Sequence, residues 1–375
     1  MFSKGIDIFC QLAYIRSSLL LQFPQMATII HHLYSDIWQE IFEYFNPIEL
    51  FHSLLHVTNA ADELLLNRNH CFFLRRLIAD PYIDTLPKKL VLSQIISLEL
   101  YQESPLDIID KCSKLRSLKL IGKSEWVVYL LKNISYVNME LERLVLVVPD
   151  IGSLYDLLGS VTSLFSLRRL AIHANKAEAK IKGRSWALTQ TNVEHFSLHS
   201  CSSVSWNELS YMLPGLFNIR FLDMTLFYDK NKILRQFIFP QLRYARLQLL
   251  EIPFEWIIRL VKTMPSLIKL KLNGLVDVEG FVIDHKWHIL FESCASLNIV
   301  IVNLSLERDT NFYCTDMIQE TLQEINLNLT CIDDDCDCGL DGRNQYRWWT
   351  LSGRINKECS HTKLGEKNVI LQDRL

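Results

Sequence analysis

The feature that most constrains this chain is a six-residue pattern that recurs at nearly equal spacing. Apolar residues occupy positions 1, 4 and 6 of each hexad. The copies begin at residues 95, 115, 141, 167, 193, 219, 242, 267, 297 and 322, and the five from 115 to 219 are 26 residues apart. Because one short unit cannot bury its own apolar face, this spacing predicts an array of stacked units.

Each hexad has the alternation of a short β-strand. Positions 4 and 6 lie on one face of such a strand, whereas positions 3 and 5 and the residue after position 6 lie on the other. Between hexads the apolar residues follow helical spacing, as in Trp126-Val127-Leu130-Leu131 and Trp256-Ile257-Leu260-Val261. The sequence therefore predicts an α/β fold in which each unit is a strand, a turn, a helix and a return.

Composition supports this fold class and excludes others. Of 375 residues 62 are Leu, whereas only 12 are Gly and 10 are Pro, which argues against a turn-rich β-sandwich and against disorder. A net charge of -3 gives no reason to expect nucleic acid or an anionic membrane as a partner. We find no secretory signal and no apolar run long enough to span a membrane, so we expect a cytoplasmic or nuclear protein with reduced thiols.

The repeat resembles the leucine-rich-repeat family, whose units run from about 20 to 29 residues. The resemblance covers residues 93–330 as about nine or ten repeats. It implies a solenoid with parallel strands on a concave face and helices on a convex face. In that family Asn or Cys follows the hexad after two intervening residues, and Asn175 and Cys201 stand at that place here. The alternative is an ordinary α/β domain with amphipathic strands.

The segment before the repeats has a different pattern. Ile37, Ile41 and Phe45 are spaced as one face of a helix, Asn46-Pro47 begins a second helix, and a third covers roughly residues 60–66. Leu33-x-x-Asp36-Ile37 with Glu49-Leu50 resembles the F-box, a module of three helices. That resemblance implies adaptor-binding residues, which are Leu33, Ile37, Trp38, Ile41, Phe42, Leu50, Leu54 and Val57.

An F-box followed by leucine-rich repeats is similar to the substrate receptors of SCF-type cullin–RING ubiquitin ligases. The resemblance implies that the F-box binds a Skp-type adaptor, and through it the cullin and RING subunits, while the repeats bind a protein substrate. It implies a chain with no catalytic residue and no cofactor, and no nucleotide, hydrolase or kinase motif is present. The alternative is a leucine-rich-repeat scaffold unconnected with ubiquitin, whose N-terminal helices only cap the array.

The expected organisation has five parts. Residues 1–27 form a leader of poor order, with Met26 as an alternative start, residues 28–78 the F-box and residues 79–92 a linker. The repeats follow over residues 93–330, and residues 331–375 form a C-terminal cap or tail.

The outward positions of the hexads are candidates for substrate binding. The residues that we select are Lys119, Arg143, Arg169, His173, His195, His199, Phe221, Tyr244, Arg246, Lys269 and Lys271. Basic residues outnumber acidic ones there although the whole chain is acidic. Because Arg binds carboxylate and phosphate through paired donors, this face predicts an acidic or phosphorylated substrate segment. The alternative is that these cations only keep the face solvated.

The tail contains one cluster of potential metal ligands. Cys331, Cys336 and Cys338 lie among aspartates, and Cys359 and His361 follow. Thiolates and imidazole bind zinc, but the Cys-x4-Cys-x-Cys spacing is not that of paired zinc ligands. We therefore predict no metal site, and interpret the run as a solvated loop with Trp348-Trp349 covering the end of the array.

Overall fold

The structure is a computed structural model. It describes residues 62, 65, 77–79, 92–104, 106–134, 140–177, 191–200, 204–205, 216–228, 237–276, 281, 287–307, 329–334 and 348–357. The chain forms two compact units, residues 1–119 and 120–375. The border lies inside one of the strands.

Between residues 77 and 121 the described part of the chain contains three short strands and two short helical segments. The strands are β1 (Leu77–Ala79), β2 (Ser97–Tyr101) and β3 (Ser117–Ile121), the last of which continues past the border. A 3-10 turn (Leu92–Gln94) precedes β2, and helix α1 (Asp107–Lys111) precedes β3. β1 pairs parallel to β2, with Leu77 opposite Leu98. The predicted border between the F-box and the linker, at residues 78 and 79, falls inside β1.

The second unit has a largely parallel sheet. Its described strands are β4 (Arg143–Ile151), β5 (Arg169–Ala177), β6 (His195–Ser200), β7 (Val204–Ser205), β8 (Phe221–Phe227), β9 (Tyr244–Leu250), β10 (Lys269–Val276), β11 (Ile299–Glu307), β12 (Leu329–Asp334) and β13 (Trp348–Asn356). Of these, β4, β5, β6, β8, β9, β10 and β11 lie at hexads. From β4 to β11 every pairing is parallel, in the order β4-β5-β6-β8-β9-β10-β11, with β7 beside β8. The α/β class and the strand positions are confirmed, since each hexad strand begins at position 3.

One face of this sheet is the core. Along β4 the side chains alternate, with Leu144 and Leu146 fully buried and Arg143 exposed. The pairing register stacks the buried positions of neighbouring strands, so that Leu144 lies opposite Leu170 and Leu146 opposite Ile172. This alternation is the period of a strand with one buried face, and it leaves the other face to solvent.

Helices lie between the strands of the second unit. They are α2 (Ser124–Ile134), α3 (Leu154–Val161), α4 (Phe254–Lys262) and α5 (Trp287–Ser293). α2 packs against α3 and β4, and α4 packs against α5. The predicted helices around Trp126 and Trp256 are therefore confirmed. No helix in the described ranges combines the length and the apolar character needed to cross a membrane.

A repeated hydrogen-bond arrangement connects successive hexads. The carbonyl of hexad position 2 accepts from the N–H groups of positions 2 and 3 of the next hexad: Glu142 from Arg168 and Arg169, and Arg168 from Glu194 and His195. Before many of the hexad strands, the N–H of position 1 closes a turn onto the carbonyl three residues earlier. In six of these turns the earlier residue is buried and apolar: Cys112, Leu164, Leu216, Phe239, Met264 and Cys294. Cys112 and Cys294 are free thiols, as expected.

The last parallel strand is covered by an antiparallel one. β13 pairs along the whole of β11, from Ile299 opposite Asn356 to Glu307 opposite Trp348, and its other edge pairs with β12. This is the position that a further parallel repeat would take. The hexad at residues 322–327 lies outside the described residues. Because an open strand edge presents unpaired backbone groups, β13 protects this edge of β11.

Candidate functional site: the exposed strand face

The candidate site is the solvent-facing side of strands β4 to β10, which we call the exposed strand face. Parallel register arranges its residues into rows that cross the strands. The first row is Arg143, Arg169, His195, Phe221, Tyr244 and Lys269. The second row is Val145, Ala171, Ser197, Asp223, Arg246 and Lys271. A third row contains His173 and His199. The register thus brings together all of the selected substrate-binding residues except Lys119.

Cations lie at both ends of the first row and at the β9–β10 end of the second row. Arg143 and Arg169 are exposed and face each other across β4 and β5. Lys269 and Lys271 lie two residues apart on β10, with Lys271 opposite Arg246 of β9. None of Arg143, Arg169, Lys269 and Lys271 forms an ion pair with a described residue. The positive charge of this face therefore remains available to a ligand.

Asp223 is the one acidic residue in the rows of the exposed strand face. Its carboxylate lies 3.5 Å from Nε2 of His199 and 3.7 Å from a terminal guanidinium nitrogen of Arg246. Asp223 is only 8% exposed, so these two contacts compensate a charge that water reaches poorly. The positive charge of Arg246 is consequently offset in part by Asp223, whereas the charges of the two lysines of β10 are not.

Aromatic rings occupy the middle of the first row. The ring of His195 stacks on Phe221, with centroids 5.6 Å apart and planes 30° apart, and Tyr244 is exposed beside them. The pKa of His195 is lowered, first by burial and then by the positive charge of Arg169; Glu194 opposes the decrease, and Arg220 adds a still smaller lowering effect. Near neutral pH this imidazole is therefore an uncharged surface that complements Phe221.

Two stacked histidines lie nearer the carboxyl ends of the strands. His173 and His199 stack with centroids 5.3 Å apart and an angle of 19° between their planes. They line a cleft of about 350 Å³ together with Pro149, Asn175 and Thr225. Within the described ranges no group of three or more His, Cys, Asp and Glu side chains could hold a metal ion.

Lys119 lies in the first unit and has a partner of its own. Its Nζ is 3.0 Å from a carboxylate oxygen of Glu99, which is only 6% exposed. Glu99 occupies position 5 of the hexad that begins at residue 95, a hexad whose outward positions our selection did not include. Reading that hexad as well would have revealed the carboxylate and its position beside Lys119.

At the amino ends of the strands the exposed strand face carries polar groups that our selection also did not include. Asn192 and Asn218 donate through Nδ2 to the carbonyls of Phe165 and Thr191 in the preceding units, at 2.8 and 3.0 Å. Glu142, Arg168, Glu194 and Arg220 alternate in charge at hexad position 2, with Glu194 and Arg220 3.7 Å apart. They line a cleft of about 470 Å³. Both sets recur at one place in the repeat, which is the sequence signal that identifies them.

Several predicted site residues lie outside the described residues. They include all eight adaptor-binding candidates, from Leu33 to Val57, and the tail residues Cys336, Cys338 and Cys359. Within the predicted third F-box helix, Asp62 and Leu65 have helical backbone, and Leu65 is fully buried.

Comparison with known proteins adds no relative. None of the models of known protein families matches the chain, and no curated protein sequence is similar to it.

Proposed function

We propose that this chain is a non-catalytic substrate receptor of an SCF-type cullin–RING ubiquitin ligase. In this proposal residues 28–78 are an F-box that binds a Skp-type adaptor. The strands and helices of the second unit belong to a leucine-rich-repeat solenoid that binds the substrate protein. The ligase gains rate because the receptor holds a substrate lysine close to the charged ubiquitin carrier, which raises their effective concentration.

The observation that carries the proposal is the exposed strand face. It presents cations and aromatic rings in register over six strands, while the other face of the same strands is buried. Repeat proteins use extended surfaces of this kind to bind other proteins. The hexad spacing and the F-box-like pattern around Ile37 and Leu50 supply the rest of the argument.

Co-purification of the full chain with a Skp-type adaptor tests the proposal. The wild-type chain should retain the adaptor, and the double variant Ile37→Lys with Leu50→Lys should lose it by at least about tenfold, because charges would replace apolar contacts. Arg259→Glu with Lys262→Glu, on the exposed side of α4, is the matched surface control and should retain the adaptor.

Failure of the wild-type chain to bind any Skp-type adaptor would refute the ligase assignment. If the repeats then still bound a partner protein, the second candidate, a scaffold without a role in ubiquitination, would replace it. The same exposed strand face favours that candidate, because partner binding by the strands does not need an F-box.

A further inference from the structure

We propose that the exposed strand face binds an extended acidic protein segment that crosses the strands, with carboxylates at two places and an apolar side chain between them. The inference rests on the proposed function and names the chemistry of the substrate. One carboxylate position is at Arg143 and Arg169. The other is at Lys269 and Lys271, and the apolar contact is His195, Phe221 and Tyr244.

The spacing follows from the order of the strands. Arg169 and Lys269 lie in the same row and are separated by four strand-to-strand steps, from β5 through β6, β8 and β9 to β10. Neighbouring strands are about 4.8 Å apart, so the two cationic positions are roughly 19 Å apart. An extended peptide advances about 3.3 Å per residue, so the second acidic side chain lies about six positions after the first in the peptide sequence.

The middle of the row selects an apolar side chain. His195 and Phe221 are stacked, and the burial and positive neighbours that lower the pKa of His195 keep its ring neutral. Tyr244, which is 44% exposed, extends this surface toward β10. An apolar group placed here would remove aromatic area from water, which is favourable in proportion to that area.

An unpartnered donor lies at the lysine end of the face. The side-chain amide Nδ2 of Asn273 is buried without a hydrogen-bond acceptor among the residues that the structure describes. Asn273 follows Lys271 by two residues on β10, and so lies on the same face. An unsatisfied buried donor is unfavourable. A carboxylate bound at this end would therefore gain a hydrogen bond from Nδ2 in addition to its attraction to Lys269 and Lys271.

Carboxylates distributed along a chain fit this arrangement better than one phosphate group does. The five cations of the face are spread over β4, β5, β9 and β10 and do not converge on one point. Each remains accessible to water to some extent, so each contributes a modest charge-assisted contact. Affinity then comes from several contacts at a fixed spacing.

The test measures binding of a fluorescein-labelled peptide to the full chain by fluorescence anisotropy. The peptide has two glutamates at each end and four residues between them, including one leucine. The variants Arg143→Ala with Arg169→Ala, and Lys269→Ala with Lys271→Ala, should each weaken binding by about tenfold or more. Arg259→Ala with Lys262→Ala on α4 removes the same charge away from the face and should change the affinity less than about twofold.

Three further ligands make the test specific. A peptide with the four glutamates adjacent should bind several-fold more weakly, because it cannot reach both cationic positions. Tighter binding of that peptide, of a phosphoserine analogue, or of a uridine octamer would overturn the proposal. An equal loss of affinity in the α4 variant would overturn it too, and circular dichroism of every variant excludes unfolding as the cause.

The outcome can be separated from that of the proposed function. Adaptor co-purification without peptide binding would refute only the acidic segment. Peptide binding without adaptor co-purification would refute the ligase assignment and support this inference for a scaffold.

Discussion

Gly274 of β10 lies so close to the backbone of Leu249 on β9 that a side chain at residue 274 would overlap it. Its φ is +111°, a conformation that L-residues with a side chain rarely adopt, and the nearest atom to a built β-carbon would be the Leu249 carbonyl oxygen. The two strands pair here in parallel, with Gly274 opposite Leu249. Glycine is therefore required at this position of the sheet.

We expect Gly274→Ala to lower the free energy of unfolding by more than about 2 kcal/mol, since the strained φ and the backbone overlap act together. Urea denaturation monitored by circular dichroism measures the change. The matched control is Gly159→Ala in α3, where the β-carbon meets nothing within 4 Å. This control should gain about 0.5–1 kcal/mol from helix propensity. Equal stability of the two variants would contradict the argument.

Asp223 limits the positive charge of the exposed strand face. Asp223→Asn removes its carboxylate from beside His199 and Arg246 and leaves Arg246 for the ligand. We expect affinity for the acidic peptide to rise about threefold or more at low salt, and the gain to shrink as salt screens the charges. Anisotropy titrations at two salt concentrations provide the measurement.

The control for this substitution is Glu292→Gln, which removes one exposed carboxylate from α5. Both substitutions remove one negative charge from the chain, so they differ only in where that charge was. If both variants raised the affinity equally, the net charge of the chain and not the site would explain the effect.

His195 should titrate below the usual histidine range. The lowered pKa has burial as its largest cause, followed by Arg169 on β5, with Glu194 opposing and Arg220 adding to the decrease. Since the unfolded chain binds this proton more readily, the contribution of His195 to stability is present above its unfolded pKa of about 6.5. It is lost as the pH falls through the folded pKa.

Proton NMR of the imidazole measures this midpoint. Arg169→Ala should raise it toward 6.5 without reaching it, because burial remains. Arg259→Ala on α4 should leave it unchanged. A wild-type midpoint at or above the ordinary value would show that the ring is not buried against Phe221 as described.

Cys112 should be unreactive in the folded chain. Its side chain is fully buried after α1, and burial raises the pKa of its thiol to about 12. The thiolate is the nucleophile, so at pH 8 only on the order of one thiol in 10⁴ is in the reactive form. We expect iodoacetamide to modify Cys112 in denaturant and not in native buffer, as read by mass spectrometry of the Cys112 peptide. Rapid modification of the native protein would contradict this placement.

Local pattern is sufficient to predict the strands and their faces. The alternation of Leu144 and Leu146 with Arg143 needs only the two-residue period of a strand, and equal hexad spacing aligns successive strands in one register. Arg143 and Arg169 share a row for the same reason, since both occupy position 3 of their hexads. The F-box and the leucine-rich-repeat assignments stay predictions, because the described residues and the comparisons with known proteins add nothing to the sequence patterns that suggest them.

Charge pairing could not be predicted in this way. Glu99 pairs with Lys119, and Asp223 pairs with both His199 and Arg246. Side chains on neighbouring strands have several partners within reach, and the sequence does not specify which of them each side chain contacts. The cluster of Phe254, Phe281 and Trp287 is similar, with rings about 5–6 Å apart although Phe254 precedes the other two by 27 residues or more.

The sequence by itself determined where the hexad strands lie, which of their side chains are buried and which of their residues share a row across the sheet. Those properties depend on periods of two and about 26 residues, which repeat along the chain. Only the tertiary structure decided that β11 is covered by the antiparallel strand β13, that Gly274 must have a positive φ, and that Asp223 takes up part of the positive charge of its face. Each of these depends on contacts between particular atoms of different strands, and no repeating pattern in the sequence specifies such contacts.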